Sequence, residues 1–538
     1  MFRQSKKQNK KKNNAKRQDQ IEVADLIKMQ KTTLSHLQKS GIPENYVEIE
    51  RYPLAPPFAY AVITQSTENL EHLYVIDELP LTLKEQETYN QLKSVLEYEL
   101  RPAEENETPD ESFRRQLPII VANHREDLRS ISSIEARKIM YYATRDMLGL
   151  ERIGPIMDDP YIEDISCGGL DKPIYVWHKK YESMAANVQF ESEDDLDNFV
   201  VKLVHLSGKH ISTTFPIVDA TLPGKHRLSA MFRREVTPLG TSFTIRKFRE
   251  DPYTIIDLLD LGTINETIAS YLWMLMDNKM SLMVLGSTGA GKTTALNAIS
   301  GFIPSSYKIF TVEEVAEINL PHENWVSSIS RTGYGAQDEG AIGLFELLKA
   351  AVRHRPDYIV VGEVRGEEAY VLFQAVATGH GGLCTMHADM VEASLKRLVQ
   401  DPMNVPPGSI PLMNCAIVVK RVNTRTGPGS RSIVRRATQV SEIMGADSVK
   451  DISTWNPAKD EFELNISGSR LLKRIAESSG FTLEEVREEM ERRKRVLRWM
   501  RAHNMRNYRK FSQTIAMYRK DPERIYRQAM KFTDIPGV

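Results

Sequence analysis

The sequence predicts an α/β fold: a parallel sheet covered by helices, preceded by a smaller α/β domain and followed by a helical C-terminal segment. Three observations predict it. Residues 281–300, SLMVLGSTGAGKTTALNAIS, read as a short apolar strand, a glycine-rich turn and a helix start. From Ile264 to about Val440, apolar runs at Met283–Leu285, Lys308–Val312, Tyr358–Val361, Gly382–Met386 and Ala416–Lys420 alternate with helical stretches, the pattern of strands joined by crossover helices. After Gly468 the chain reads as helix, with Thr482-x-x-Glu485 as a capping box before a long helix to about Met500 and two shorter, basic helices beyond.

A chain of 538 residues exceeds one core, so several domains are expected. Hydrophobic content of 41% and charged content of 27% match a globular protein. No apolar run reaches the roughly 18–20 residues of a membrane span, and the N-terminus lacks a signal peptide's apolar segment. Cys167, Cys384 and Cys415 are too few and odd in number for a disulfide framework, which predicts a reducing, cytoplasmic setting. Net charge is −1, so the whole chain is no polycation, yet residues 1–17 hold eight Lys/Arg and no acid. That tail reads as solvated chain or as a contact for anionic lipid or a partner.

The elements order as follows. Residues 1–20 read as a disordered basic tail. Residues 21–110 form an N-terminal, partner-binding region with strand-like pieces at Tyr60–Thr64 and Leu73–Ile76 and a helix near Leu83–Leu100. It ends in a polar linker, RPAEENETPDES, at 101–112. Residues 111–248 form the small α/β domain: a leading helix at about 132–147, a strand at Ile174–Val176, an amphipathic helix at Asp195–His205 and a strand at 242–246. Residues 249–262, REDPYTIIDLLDLG, read as an interdomain connection. Residues 263–467 form the large domain, closing in a strand meander from 441, and 468–538 are the helical extension.

The turn carries the chemistry. Gly286-Ser287-Thr288-Gly289-Ala290-Gly291-Lys292-Thr293 is a complete G-x-x-x-x-G-K-[ST] loop, followed by Thr294. Glycines let backbone N–H groups curl around phosphates. Lys292 can reach the β- and γ-phosphates, Thr293 can ligate Mg²⁺, and the helix adds its N-terminal dipole. Strand, loop and helix together are the context that separates this motif from a flexible glycine turn. Such a site also needs an acid near the metal and the attacking water. In RPDYIVVGEVRGEE, 355–368, Glu363 stands just past an apolar strand, which predicts the water-polarising and Mg²⁺-associated carboxylate. In TVEEVAEI, 311–318, Glu313, Glu314 and Glu317 cluster after another strand; they imply compensation by Mg²⁺ or an arginine, or else an acidic helix start. In TGHGGLCTMHAD, 378–389, His380 and His387 flank a strand-like piece. They read as nucleotide sensors or structural histidines, and with Cys384 they have zinc-like spacing but no fourth ligand. Arg227, Arg233 and Arg246 of the small domain are candidates to meet phosphoryl charge.

In this order the motifs resemble the type II/type IV secretion ATPase superfamily over about residues 150–440. The segments are Pro216-Ile-Val-Asp219-Ala, Leu222-Pro223 with Arg227, Ile245-Arg246-Lys247-Phe248, the phosphate loop, the acidic box, the Glu363 segment and the histidine box. DPMNVP at 401–406 and the helical C-terminus look like the archaeal branch that assembles type IV pili or archaella. The resemblance implies a RecA-like ATPase domain after a PAS-like domain, assembled as a homohexamer, with ATP between the two domains and Mg²⁺ as cofactor. It implies that Glu363 is the catalytic glutamate, that Lys292 and Thr293 hold phosphates and metal, and that Arg227 and Arg246 approach the nucleotide, from the same or a neighbouring protomer. It implies a polytopic membrane platform protein and pilin or archaellin machinery as partners, at the cytoplasmic face of the membrane; on charge and composition no nucleic acid is expected. Three departures stand: Glu313-Glu314 replaces the usual Glu-Asp, Gly-Lys-His replaces an acidic-Gly turn before Arg227, and a four-cysteine insert is missing. A RecA-like nucleic-acid translocase of a conjugation system is the alternative, weakened by the near-zero net charge and the want of an aromatic-basic array. A scaffold that binds ATP without turnover is a third reading, opposed by Glu363.

Overall fold

Alternation and continuity in apolar residues build two different sheets. The computed structural model describes residues 42–104, 107–124, 133–249, 251–331, 340–427 and 430–533, in two units that divide between Phe248 and Arg249. The expected basic tail at 1–20, and 21–41 of the next region, lie outside the described residues.

In the first unit, β1 (Tyr46–Ala55), β2 (Ala59–Ser66) and β3 (His72–Glu78) precede helices α1 (Leu83–Glu99), α2 (Pro109–Asn123), α3 (Ser133–Met147) and α4 (Gly154–Asp158). Then come β4 (Ile162–Cys167), β5 (Pro173–His178), β6 (Glu182–Gln189), α5 (Glu193–Leu206), β7 (Ile217–Thr221), β8 (Arg227–Met231) and β9 (Ser242–Arg246). The strands make one nine-stranded sheet, order β1-β2-β3-β6-β5-β4-β9-β8-β7. Only the β3–β6 pairing is parallel. Inward residues such as Val218, Ala220, Leu228, Ala230, Phe243 and Ile245 alternate with exposed ones and pack with Leu196, Phe199, Val200 and Leu203 of α5. Helices α1–α3 share a separate small core around Leu92, Leu96, Phe113, Leu117 and Ile139.

Two expectations change here. No boundary falls near residue 110, because β1–β3 join the same sheet through Leu73↔Ala185 and Tyr74↔Ala186. The hydroxyls of Tyr52 and Tyr74 both donate to the Asp159 carboxylate at 2.7 Å, which ties the two halves together. The expected linker at 101–112 also shortens. Thr108 caps α2 in a capping box with Glu111, and Pro109 occupies the first helical turn, where its missing N–H costs nothing.

In the second unit, α6 (Ile255–Asp260) and α7 (Glu266–Asp277) precede β10 (Leu282–Leu285), α8 (Lys292–Ser300), β11 (Ile309–Glu313), β12 (Trp325–Ile329) and α9 (Leu344–Arg353). They are followed by β13 (Tyr358–Val361), α10 (Glu368–Ala377), β14 (Gly381–Met386), α11 (Val391–Val399) and the meander β15 (Cys415–Gly427), β16 (Ser430–Ile443), β17 (Val449–Asn456) and β18 (Glu461–Leu464). Helices α12 (Arg470–Ser479), α13 (Leu483–Ala502), α14 (Tyr508–Lys520) and α15 (Pro522–Thr533) close the chain. The sheet order is β12-β11-β13-β14-β10-β15-β16-β17-β18. β12 to β15 are parallel, and the meander is antiparallel. β10, β11, β13 and β14 are buried at every residue, because helices cover both faces. One core joins α6, α7, α8 and α12–α15, and the other joins α9, α10 and α11. This is the RecA-like arrangement.

The expected connection at 249–262 is instead part of this core. Thr254 and Asp257 form a capping box, and Ile255, Ile256, Leu258 and Leu259 are buried in the same cluster as Leu282. The polar REDP start reads as linker, but the apolar spacing after it is helical. Likewise α12–α15 are no appendage, since Leu472, Val496, Phe511 and Tyr518 lie in that cluster too. Cys167, Cys384 and Cys415 are free thiols, all buried. Among the described residues no helix is long and apolar enough to cross a membrane.

Candidate nucleotide site

Parallel strands bring their carboxyl ends to one edge, and the motifs follow those ends. The register sets Leu285 beside Met386, Val361 beside Cys384, and Val312 beside Val361. The next residues of each strand therefore share one edge: Gly286 after β10, His387 after β14, Gly362 and Glu363 after β13, with Glu313 the last residue of β11.

The phosphate loop turns through Gly289 (φ 71°) and Gly291 (φ 93°), left-handed backbone that a side chain would strain. Gly286 passes so close to the Val419 carbonyl that no Cβ could be accommodated. Gly291 stands at the N-cap of α8 with no side-chain cap, so the first N–H groups of α8 are left for an anion. Ser287, Thr288 and Gly289 are exposed, Ala290 is buried, and Thr293 and Thr294 lie half-buried in the first turn of α8. Buried Lys292 donates from Nζ to the Ser287 carbonyl at 3.1 Å, and Nζ lies 3.3 Å from His387 Nε2. Glu363 Oε1 lies 3.2 Å from His387 Nε2 and 3.2 Å from Arg365 Nε. Arg365 also pairs with Glu314. Lys292, His387, Glu363, Arg365 and Glu314 thus stand in one unbroken series of close polar contacts.

The acidic box does not start a helix. Glu313 is buried beside Gly362, and its Oε1 accepts from the Glu317 and Ile318 N–H groups at 2.9 and 2.8 Å. Glu313 therefore shapes the loop after β11, Glu314 is compensated by an arginine, and Glu317 contributes its backbone. The donor set accommodates a phosphate chain with a hard cation: uncapped N–H groups, a lysine, the Thr293 hydroxyl and carboxylates at the next strand ends.

The histidines part company. His380 precedes β14 and so stands at the opposite sheet edge, where its Nδ1 bonds the Ala375 carbonyl (2.9 Å) beyond the end of α10. Cys384 points into the core under α10, so His380, Cys384 and His387 do not converge, and no group of three or more metal-ligating side chains occurs among the described residues. Of the two histidines of the box, His387 stands at the phosphate-loop edge, and His380 makes the contact of a structural histidine.

Arg227 and Arg246 belong to the first unit. They are register partners on β8 and β9, both on the exposed face of that sheet. Arg246 Nε lies 3.8 Å from Asp164. Arg233 pairs with Asp197 at 2.9 Å. Three cations near the loop escaped the sequence reading. Arg365 sat unassigned inside the quoted Glu363 segment. Arg397 donates to the His387 carbonyl at 3.1 Å. Arg435 reaches across from β16 to within 3.5 Å of the Gly289 carbonyl; only the β15–β16 pairing brings it there, and linear spacing carries no sign of it.

A family model described as type II/IV secretion system protein matches residues 158–514, and one described as PilB3-like, N-terminal, matches residues 3–78. An uncharacterised protein of Methanocaldococcus jannaschii is 36% identical over 403 residues, 73% of this chain and 72% of its own length. The type IV secretion system protein PtlH of Bordetella pertussis is 30% identical over 275 residues, 45% of this chain and 78% of its own. Among solved structures, the pilus retraction motor PilT with bound ADP aligns at a TM-score of 0.38 and 17% identity, over 68% of this chain and 93% of that one.

Proposed function

The chain belongs to the type II/IV secretion system protein family, and from that premise we propose that it is the ATP-hydrolysing motor for assembly of an archaeal type IV pilus-like filament, pilus or archaellum. The family is one of secretion and pilus ATPases. The observation that carries the ATPase reading is the meeting of Lys292, Glu363 and His387 at one sheet edge, within 3.3 Å of one another in sequence of contact.

In this reading the loop N–H groups from Gly286 to Thr294 and Lys292 bind the phosphates of ATP. Thr293 and Glu363 would hold Mg²⁺, which supplies charge neutralisation on the phosphates. Lys292 exchanges Ser287 and His387 for phosphate oxygens. Glu363, released towards the attacking water, orients it and accepts its proton; the water oxygen bonds to the γ-phosphorus as the bond to the ADP oxygen breaks. Arg227 and Arg246, exposed neighbours on one sheet face, match family arginines that meet phosphoryl charge. The filament branch is supported by DPMNVP at 401–406 and by the PilB3-like match. A homohexamer working with a polytopic platform protein, at the cytoplasmic face of the membrane, completes the proposal.

Glu363→Gln tests it. Turnover should fall by about 10³-fold while ATP still binds; unchanged phosphate release would remove Glu363 from the mechanism. Hydrolysis stimulated by duplex DNA, with a salt-dependent gel shift, would favour the translocase reading instead.

A further inference from the structure

Behind the phosphate loop, two distant parts of the second unit, α14 and the segment after β11, meet on the backbone of α8 and its end. Short-range hydrogen bonds carry that helix on to Ile303, so the Phe302 and Ile303 carbonyls are among its last, and need outside donors. Arg519 of α14 supplies them, donating to Phe302 O and to Ile303 O (3.4 Å). Buried His322, beyond the acidic box, bonds the same Ile303 carbonyl at 3.0 Å. Burial holds the His322 ring below its ordinary pKa, and hence neutral. Tyr508 Oη donates to the Asn297 carbonyl at 3.3 Å. A Cβ on Gly301 would stand 3.1 and 3.2 Å from the rings of Phe511 and Tyr508.

The grip is directional. Arg519 and the buried Arg493 share the Asp277 carboxylate of α7. Around them Trp273 stacks on Phe302 (5.3 Å, 6° between planes) and meets Tyr518 edge-on at 5.0 Å. Apolar residues would fill such a seam with less desolvation; what guanidinium adds is donors aimed at two carbonyls.

We propose that Arg519 is a positioning residue for ATP hydrolysis: from the C-terminal helices it fixes the far end of α8, and so sets where Lys292 and Thr293 stand. The inference rests on the ATPase reading. A helix of this length is a lever of roughly 18 Å, so a tilt of about 3° moves its phosphate end by about 1 Å. A misplacement of that size far from the chemistry costs on the order of 10²-fold in rate. Through His322 the same anchor ties α8 to the loop that Glu313 shapes.

The full-length chain tests it through Arg519→Lys, which keeps the charge beside Asp277, with Tyr508→Phe as a milder second variant and Arg509→Gln on the exposed side of α14 as control. The readouts are kcat and KM for ATP, fluorescent ADP bound per chain, thermal midpoint, and hydrogen exchange of residues 292–300 without nucleotide. Arg519→Lys should bind ADP to the wild-type stoichiometry, exchange faster in α8, and lose about ten- to a hundredfold in kcat with a smaller change in KM. Tyr508→Phe should lose about threefold, and Arg509→Gln nothing. Wild-type kcat in Arg519→Lys, or a loss no larger than the loss of ADP-binding chains, overturns the inference. A wild-type chain that does not hydrolyse ATP overturns the reading beneath it, while α8 exchange still reports on the anchor.

Discussion

Two nine-stranded sheets in one chain put their special residues in opposite places. In the second unit, both sheet faces are buried, so nothing chemical can stand along β10, β11, β13 or β14, and the motifs sit where the strands end. In the first unit β2 and β3 are buried on both faces, but β7, β8 and β9 are covered on one face only. Along β8 and β9, inward Leu228, Ala230, Phe243 and Ile245 alternate with exposed Arg227, Thr244 and Arg246 and half-buried Ser229. Polar residues can therefore ride mid-strand on a surface. Coverage decides whether a sheet offers a rim or a face.

The largest expected effects separate rim from face chemically. Lys292→Ala should abolish both nucleotide binding and turnover. Arg246→Ala should leave binding near wild type and cut turnover by about 10³-fold if it meets phosphoryl charge. A loss under about tenfold would reduce Arg246 to its ion pair with Asp164. Stability comes next. Ile359→Ala in β13 and Ile245→Ala in β9 should each cost about 2–5 kcal/mol, and calorimetry should show each shifting only its own unit's transition. Thr244→Ala, on the open face, should stay within about 0.5 kcal/mol; no position in β13 is open to such a neutral change. The smallest effect is one of pH. Burial pushes Lys247 of the first unit from 10.5 to about 8. Between those values the unfolded chain holds a proton that the folded chain has released, so stability rises with pH. The first unit's melting should climb relative to the second's between pH 8 and 9, above which the buried Cys167 thiol, held above its usual 9.0, opposes it. A fall across that window would show that Lys247 stays charged in place.

The same contrast explains what could be read in advance. Apolar runs gave away β10, β11, β13 and β14 to within a residue, and the first part of β15 but not its continuation to Gly427, and the strand ends carried the loop, Glu363 and His387 with them. Chain order says little about which core a segment enters. Ile255–Asp260 and Arg470–Thr533 show helical spacing plainly, yet only packing places them beside β10. β1 went unread because its pairing with β2, not an apolar run, makes it a strand. The strand between His380 and His387 was legible, and its six residues, at about 3.3 Å each, put the two histidines at opposite edges of the sheet. Arg435 needed the hairpin register with Arg421 before it could be seen near Gly289.

The three buried thiols give the molecule a clock that needs no label built in. Burial holds Cys384 up to about 12 and Cys415 higher still, so a thiol reagent at neutral pH meets them only when the surrounding core opens. Cys167 sits in one unit and the other two sit in the second. Timed alkylation read by peptide mass would therefore register the opening of each unit separately in the unaltered chain, and a cysteine introduced on the surface could carry a dye without competition from the native ones.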